Sequence, residues 1–186
     1  LFILGNNGGL NARLGDGFTR PNVFQFVGGK VSGNLTYGAK FTDAANVSFL
    51  GTRLEANGAG EVGAEPNKAN QFVLQMLGAP AEGGAWLSLD NCYLENNNVE
   101  TEIDIQSSNA NSGTVSVRNT SFQRISDTRN PNRHLDFNAT GTGKVKVTLD
   151  ATAFRSLNGR TPNSNFKAWR NQTANTLVYE TPSVLY

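Results

Sequence analysis

Residues 87–97 read Leu-Ser-Leu-Asp-Asn-Cys-Tyr-Leu-Glu-Asn-Asn, and this stretch decides the fold. Leu87 and Leu89 alternate with polar residues, as in a β-strand that has one buried face. Asn91 follows, and asparagine, after glycine, most readily adopts the left-handed backbone conformation that a sharp corner needs. Leu94 then returns to the buried face. The stretch therefore predicts two short strands joined by a one-residue corner.

The same pattern occurs at four other places along the chain. Each copy has two apolar residues five positions apart, with a bend residue between them. The bend residues of these copies are Gly28, Gly51, Asn119 and Ala151. Ala151 departs from the Gly/Asn pattern, so the last copy is predicted to be distorted. The five copies cover residues 26–31, 49–54, 89–94, 117–122 and 149–154.

A further alternating run lies between successive copies, as at 72–76, 103–105 and 135–137. Each unit therefore holds three short strands. The two-residue Asn-Gly and Asp-Gly turns of β-hairpins are absent between paired runs, which disfavours a β-sandwich. In a solenoid, each strand pairs with its counterpart one coil away, about 4.8 Å apart. The sequence predicts an all-β solenoid with three strands per coil and about five coils.

The composition excludes several classes of function. The 186 residues carry 16 Lys+Arg and 15 Asp+Glu, a formal net charge of +1, which lacks the positive field of a nucleic-acid-binding protein. No apolar run approaches the roughly 18 residues of a membrane helix. Cys92 is the single cysteine, so it forms no intrachain disulfide and no CxxC zinc site. We expect no metal, no cofactor, no nucleic-acid partner and no membrane insertion.

Residues 46–57, Asn-Val-Ser-Phe-Leu-Gly-Thr-Arg-Leu-Glu-Ala-Asn, and their echo at 87–97 resemble the right-handed parallel β-helix of the pectate-lyase-like superfamily. The short coils, the abundance of Asn and Ser and the irregular loops are most similar to bacteriophage tailspikes and capsular polysaccharide depolymerases. The resemblance covers roughly residues 20–157. It implies a single-stranded solenoid, a homotrimer, and a location on the virion tail or otherwise outside the cell. It also implies that the alternating run between successive copies is the first strand of each coil, and that carbohydrate binds along this strand.

The pattern also predicts how the chain is divided. Residues 21–157 are expected to form the β-helix, and residues 1–20 a tether or a first coil. The repeat is lost after Phe154, so residues 158–186 are expected to form a C-terminal cap or an oligomerisation segment. The chain begins with Leu rather than Met, from which we infer a fragment of a longer protein.

The catalytic candidates are acidic residues at the outward positions of the first strands. Aligning Ile103 with Leu135 stacks Asp104 on Asp136 and Glu102 on His134, the only histidine. Glycosidases use two carboxylates, about 5 Å apart in retaining enzymes and about 6.5–9.5 Å apart in inverting ones. The diagonal from Glu102 to Asp136 fits the inverting distance and is favoured, with His134 as a binding residue that modulates the pair. The alternative is a solvated acidic face without chemistry.

The other binding candidates are arginines, a glutamine and two glutamates. Arginine binds sugar carboxylates with two parallel hydrogen bonds, so an arginine cluster predicts an acidic ligand, unless these residues are simply solvated. Gln75 lies on the first-strand face, and the glutamates lie in the longest insertion, where a loop on a rigid scaffold often carries recognition. The candidates are Arg118, Arg124, Arg129, Arg133, Gln75, Glu61 and Glu65.

Three functions remain open at this point. The first is a tailspike segment that recognises a bacterial surface polysaccharide such as capsule or lipopolysaccharide, with or without cleaving it. The second is a structural or adhesive β-helix without enzymatic activity. The third is a polysaccharide lyase, for which an acidic calcium-binding cluster and a basic catalytic residue are expected on one face.

Overall fold

The computed structural model describes residues 2–4, 10–12, 23–42, 46–58, 72–77, 86–107, 113–124, 133–139, 144–156, 167–171 and 176–180. Within these ranges the chain forms eighteen β-strands, which belong to three six-stranded sheets. The same ranges contain no helix that is long and apolar enough to cross a membrane.

The three sheets, named A, B and C, each take every third strand of the chain. Sheet A contains β1 (Phe2–Leu4), β4 (Lys30–Ser32), β7 (Arg53–Glu55), β10 (Tyr93–Glu95), β13 (Ser121–Arg124) and β16 (Ala153–Ser156). Sheet B contains β2 (Leu10–Ala12), β5 (Tyr37–Thr42), β8 (Phe72–Leu77), β11 (Thr101–Ser107), β14 (Arg133–Ala139) and β17 (Lys167–Asn171). Sheet C contains β3 (Val23–Val27), β6 (Asn46–Leu50), β9 (Trp86–Asp90), β12 (Gly113–Arg118), β15 (Val145–Asp150) and β18 (Thr176–Glu180).

Strand pairing is parallel throughout the described residues, and each strand from β1 to β15 pairs with the strand three places further along the chain. Equivalent residues therefore stack, as Leu54 does on Leu94 and Ile103 does on Leu135. The prediction of an all-β fold with three parallel strands per coil is confirmed. The arrangement is compatible with a parallel β-helix.

Strands also lie in both predicted terminal segments. Within residues 1–20, β1 pairs with β4 and β2 pairs with β5. Within residues 158–186, β17 pairs with β14 and β18 pairs with β15. The sheets therefore continue into both segments, while the division into tether, solenoid and cap stays a prediction.

The corner between sheets C and A has the predicted left-handed backbone. The φ angles of the five bend residues are 61° at Gly28, 63° at Gly51, 53° at Asn91, 47° at Asn119 and 46° at Ala151. The prediction that the last copy is distorted is wrong, because Ala151 adopts the same conformation as the others. Backbone hydrogen bonds on either side hold it there, from Asn119 N to Asp150 O (3.0 Å) and from Ala153 N to Thr120 O (2.9 Å).

A second left-handed corner, between sheets A and B, was not predicted. It lies at Gly33, Ala56 and Asn96, with φ angles of 67°, 52° and 53°. An asparagine follows each of these residues, and all three asparagine side chains are fully buried: Asn34, Asn57 and Asn97.

These asparagines form a hydrogen-bonded ladder inside the solenoid. Asn34 Nδ2 donates to Asn57 Oδ1 (2.9 Å), and Asn57 Nδ2 donates to Asn97 Oδ1 (3.1 Å). The same amides also bind backbone carbonyls, since Asn57 Nδ2 donates to Val31 O (3.1 Å) and Asn97 Nδ2 donates to Leu54 O (2.8 Å). The ladder thus supplies hydrogen-bond donors to backbone carbonyls beside the tight corner.

A second buried column lies just after the corner between sheets C and A. Thr52, Cys92, Thr120 and Thr152 occupy it, and each is almost completely buried. Thr152 Oγ1 donates to Val117 O (3.1 Å), and Cys92 Sγ lies 3.4 Å from Phe49 O. Burial raises the pKa of the Cys92 thiol. Cys92 therefore takes the place of a threonine in a structural column.

Candidate functional site

A column of polar side chains, one from each of four successive coils, lies on the outer face of sheet B. Lys40, Gln75, Asp104 and Asp136 pair in register on β5, β8, β11 and β14, and we call this column the sheet B ladder. The flanking residues Leu74, Ile103 and Leu135 point the other way and are fully buried in the core. The predicted stacking of Asp104 on Asp136 is confirmed.

Asp104 is held by two amide donors. Gln75 Nε2 donates to Asp104 Oδ2 at 2.6 Å, and Gln106 Nε2 donates to the same oxygen at 2.9 Å. Asp104 is half-buried, whereas Gln106 is exposed. These contacts fix the carboxylate at the centre of the ladder and leave it accessible to a ligand.

Asp136 lies beside the guanidinium group of Arg133. The distance from Arg133 Nη1 to Asp136 Oδ2 is 3.6 Å, and the distance from the same nitrogen to Glu100 Oε1 is 2.7 Å. Arg133 Nη1 also lies 3.4 Å from Thr101 Oγ1. Arg133 is therefore paired with carboxylates of the chain itself, Glu100 first, rather than presented to an acidic ligand.

Glu102 and His134 do not lie on the outer face, so the prediction that they point outward is wrong. Both residues are fully buried. Asn97 Nδ2 donates to Glu102 Oε1 (2.7 Å), and Glu102 Oε2 is bonded to His134 Nδ1. The His134 ring packs 5.2 Å from the ring of Phe122, a residue of the core.

The reason is that two consecutive residues face inward near the start of β8, β11 and β14. Register pairs join Thr101 with Arg133 and Ile103 with Leu135, and the Glu102 position between them is skipped. The position of Gly38 in β5 corresponds to it. A Cβ atom added to Gly38 would lie 3.0 Å from Val31 Cγ1 of the core.

Because Glu102 faces inward, the predicted diagonal pair of Glu102 and Asp136 does not form. Val73 lies two residues before Gln75, so alternation would place it on the outer face, but it is fully buried in β8, as Glu102 is in β11. Glu102 and Asp136 therefore face opposite sides of sheet B. Of the three predicted catalytic residues, the structure brings Asp104 and Asp136 together on one face.

The predicted arginine cluster is divided among the three sheets. Arg118 ends β12 of sheet C, Arg124 ends β13 of sheet A and Arg133 begins β14 of sheet B. Arg118 is exposed, and its Nε lies 3.9 Å from Asp150 Oδ2. Arg118 and Arg133 lie on the outer sides of different sheets, so they do not form one surface.

Three further candidates, Arg129, Glu61 and Glu65, lie outside the described residues. In the part of the chain that the structure describes, there is no group of three or more His, Cys, Asp and Glu side chains that could hold a metal ion.

Sheet A carries a different polar surface. Glu55 Oε2 lies 2.7 Å from Lys30 Nζ, and Glu95 stacks on Glu55 one coil further on. Tyr93 Oη donates to Gln123 Oε1 (3.0 Å). Burial and the hydrogen bond with Glu95 raise the pKa of Tyr93. The charged and phenolic groups of this surface form salt bridges and hydrogen bonds within the surface itself, which is typical of a structural sheet face.

The relation of this chain to known proteins rests on its strand arrangement and on the sequence pattern. Three parallel sheets with one strand per coil in each fit a parallel β-helix. Comparison of the chain with protein families, with curated proteins and with solved structures found no match.

Proposed function

We propose that the chain is a carbohydrate-binding segment of a tailspike-like parallel β-helix, which binds bacterial surface polysaccharide along the sheet B ladder. The observation that supports this proposal is the stacking of Gln75, Asp104 and Asp136 in register on one outer face. The stacked strands repeat about every 4.8 Å, so a linear polymer lying along the axis passes one side chain of the ladder per coil. Asp104 is the most exposed of these three side chains, since Gln75 and Asp136 are buried. Amide and carboxylate groups bind sugar hydroxyls through hydrogen bonds.

Asp104 and Asp136 are the candidate pair for cleavage of a glycosidic bond. Their separation of one coil is close to the roughly 5–5.5 Å between the carboxyl groups of retaining glycosidases. In that reaction one carboxylate attacks the anomeric carbon, the other protonates the leaving oxygen, and water then releases the sugar from the enzyme. Both groups contact hydrogen-bond donors, namely the amides at Asp104 and Arg133 at Asp136. Hydrogen-bond donors stabilise an ionised carboxylate, whereas a general acid must be protonated, so binding is better supported than hydrolysis.

The proposal is tested with the purified chain and purified capsule or lipopolysaccharide. Binding is measured by isothermal titration, hydrolysis by the release of reducing ends, and lyase activity by absorbance of unsaturated uronate. We expect Asp104→Asn and Asp136→Asn to weaken binding, and to abolish reducing-end release where it occurs. Asp90→Asn, on the outer face of sheet C, is the matched control and is expected to bind normally.

The alternative of a purely structural or adhesive β-helix is favoured by the bonding of the charged groups on sheet A and at Arg133. It predicts that Asp104→Asn and Asp136→Asn change neither binding nor product release. The lyase alternative predicts unsaturated products.

The proposal also places the protein on a virion tail or otherwise outside the cell, as a homotrimer, following the resemblance to tailspikes. Native mass spectrometry tests the trimer, and a monomeric mass counts against it.

A further inference from the structure

Gln75 has a buried carbonyl oxygen whose bonding capacity is not used. Gln75 is 7% exposed, although it lies in the sheet B ladder between Lys40 and Asp104. Its Oε1 atom is buried and has no hydrogen-bond partner. Buried polar atoms in folded proteins nearly always have a partner, so an open acceptor at a candidate binding face calls for a ligand.

The orientation of this amide is fixed by its neighbour. Gln75 Nε2 donates to Asp104 Oδ2 at 2.6 Å. A flipped amide would bring two acceptor oxygens together, because a carboxylate only accepts. The Oε1 atom is therefore an acceptor directed away from Asp104.

We propose that Gln75 Oε1 accepts a hydrogen bond from a hydroxyl group of an uncharged sugar, and that the sheet B ladder selects neutral over acidic polysaccharide. This inference rests on the proposed function, and it names the ligand class of the same site. A sugar hydroxyl group that donates to this oxygen completes the hydrogen bonding of the buried amide. A deoxy sugar without that hydroxyl group leaves the oxygen unpaired.

The charges around Gln75 oppose an acidic sugar. On one side of Gln75 stands the carboxylate of Asp104, with that of Asp136 one coil beyond it, and a uronate lying along the ladder would meet both. The Arg133 guanidinium lies 2.7 Å from Glu100, and Arg118 lies on sheet C. Lys40, one coil away on the other side of Gln75, disfavours a second cation such as the ammonium group of an amino sugar.

The test begins with an array of bacterial capsule and O-antigen oligosaccharides of known structure, comprising neutral, uronate-containing and amino-sugar members. Isothermal titration then measures the affinity of the best ligand, and of its monodeoxy analogues, for the wild-type chain, for Gln75→Leu and for Ser88→Ala. Ser88 lies on the outer face of sheet C and serves as the control.

We expect the best ligands to be neutral and one deoxy analogue to bind at least about tenfold more weakly to the wild type, since a lost bond leaves the buried acceptor unpaired. Gln75→Leu is expected to bind the parent ligand at least about tenfold more weakly and to bind parent and analogue equally, whereas Ser88→Ala binds like the wild type.

Several results would overturn the inference. A preference for uronates or amino sugars would do so while leaving the proposed function intact. Equal binding of every deoxy analogue by the wild type would do so as well, and this measurement needs no variant to fold. Absence of binding to any sugar on the array would instead contradict the proposed function itself.

Discussion

Ala151 and Ala153 lie two residues apart, and the same substitution to glycine is expected to have opposite effects at the two positions. Ala151 has a φ angle of 46° and an exposed side chain. The left-handed conformation costs a residue with a Cβ atom roughly 1–2 kcal/mol. Glycine removes that cost, but it also gives the unfolded chain more conformational entropy, which lowers the free energy of unfolding by about 0.4–1 kcal/mol. The net expectation for Ala151→Gly is an increase of about 1 kcal/mol in the free energy of unfolding.

Ala153 begins strand β16 and is buried. Glycine inside a strand costs about 0.5–1 kcal/mol relative to alanine, so Ala153→Gly is expected to lower the free energy of unfolding by about that amount. Urea unfolding followed by circular dichroism measures both variants, and equal slopes would show that the surface exposed on unfolding is unchanged. If both substitutions destabilise the chain to the same extent, the reasoning about the left-handed corner is refuted.

Three further predictions concern buried polar side chains. Asn57→Ala removes the middle of the asparagine ladder and is expected to lower the free energy of unfolding by about 3 kcal/mol, measured in urea, whereas a change below about 1 kcal/mol would contradict the ladder's role. Glu102→Ala leaves His134 without its buried partner and is expected to cost about 3–5 kcal/mol, with Glu102→Gln less damaging; equal losses would count against the pair. Because burial raises the pKa of Cys92, the folded state holds this proton more tightly than the unfolded state. Stability should therefore fall as the pH rises past about 9, and it should fall less in Cys92→Thr, as shown by unfolding midpoints at several pH values.

The corner between sheets C and A could be predicted because its backbone demands a particular residue chemistry. Glycine or asparagine at a constant place between two apolar residues is visible in the sequence, and the positive φ angles of Gly28, Gly51, Asn91 and Asn119 confirm it. The distortion expected at Ala151 did not occur, because strand pairing on both sides outweighs the preference of a single alanine.

The asparagine ladder had a signal that the sequence interpretation missed. Asn34, Asn57 and Asn97 each follow the last apolar residue of a copy by the same number of positions. The constant offset is visible in the sequence, but it does not by itself tell whether a polar side chain faces the solvent or the interior. In the structure these side chains turn inward and donate hydrogen bonds to backbone carbonyls beside the corner.

The inward position of Glu102 could not be predicted from alternation alone. The period of two holds from Ile103 to Gln106, and extending it back by one residue placed Glu102 outside. The period breaks at the corner, where Glu102 and Ile103 both face inward. The stacking of Asp104 on Asp136 was predictable because both residues lie within the regular part of their strands.

The buried polar column from Asn34 to His134 makes the coils of this solenoid non-interchangeable. Asn34, Asn57 and Asn97 bind one another through identical amide side chains. Beyond them the chemistry changes, because Asn97 is hydrogen-bonded to Glu102 and Glu102 to His134. A copy of the Asn57 coil inserted next to its original would find an amide on both sides. The same copy placed between Glu102 and His134 would separate a buried carboxylate from its partner. Duplication of coils, by which solenoids lengthen, is therefore tolerated at one end of this chain and penalised at the other.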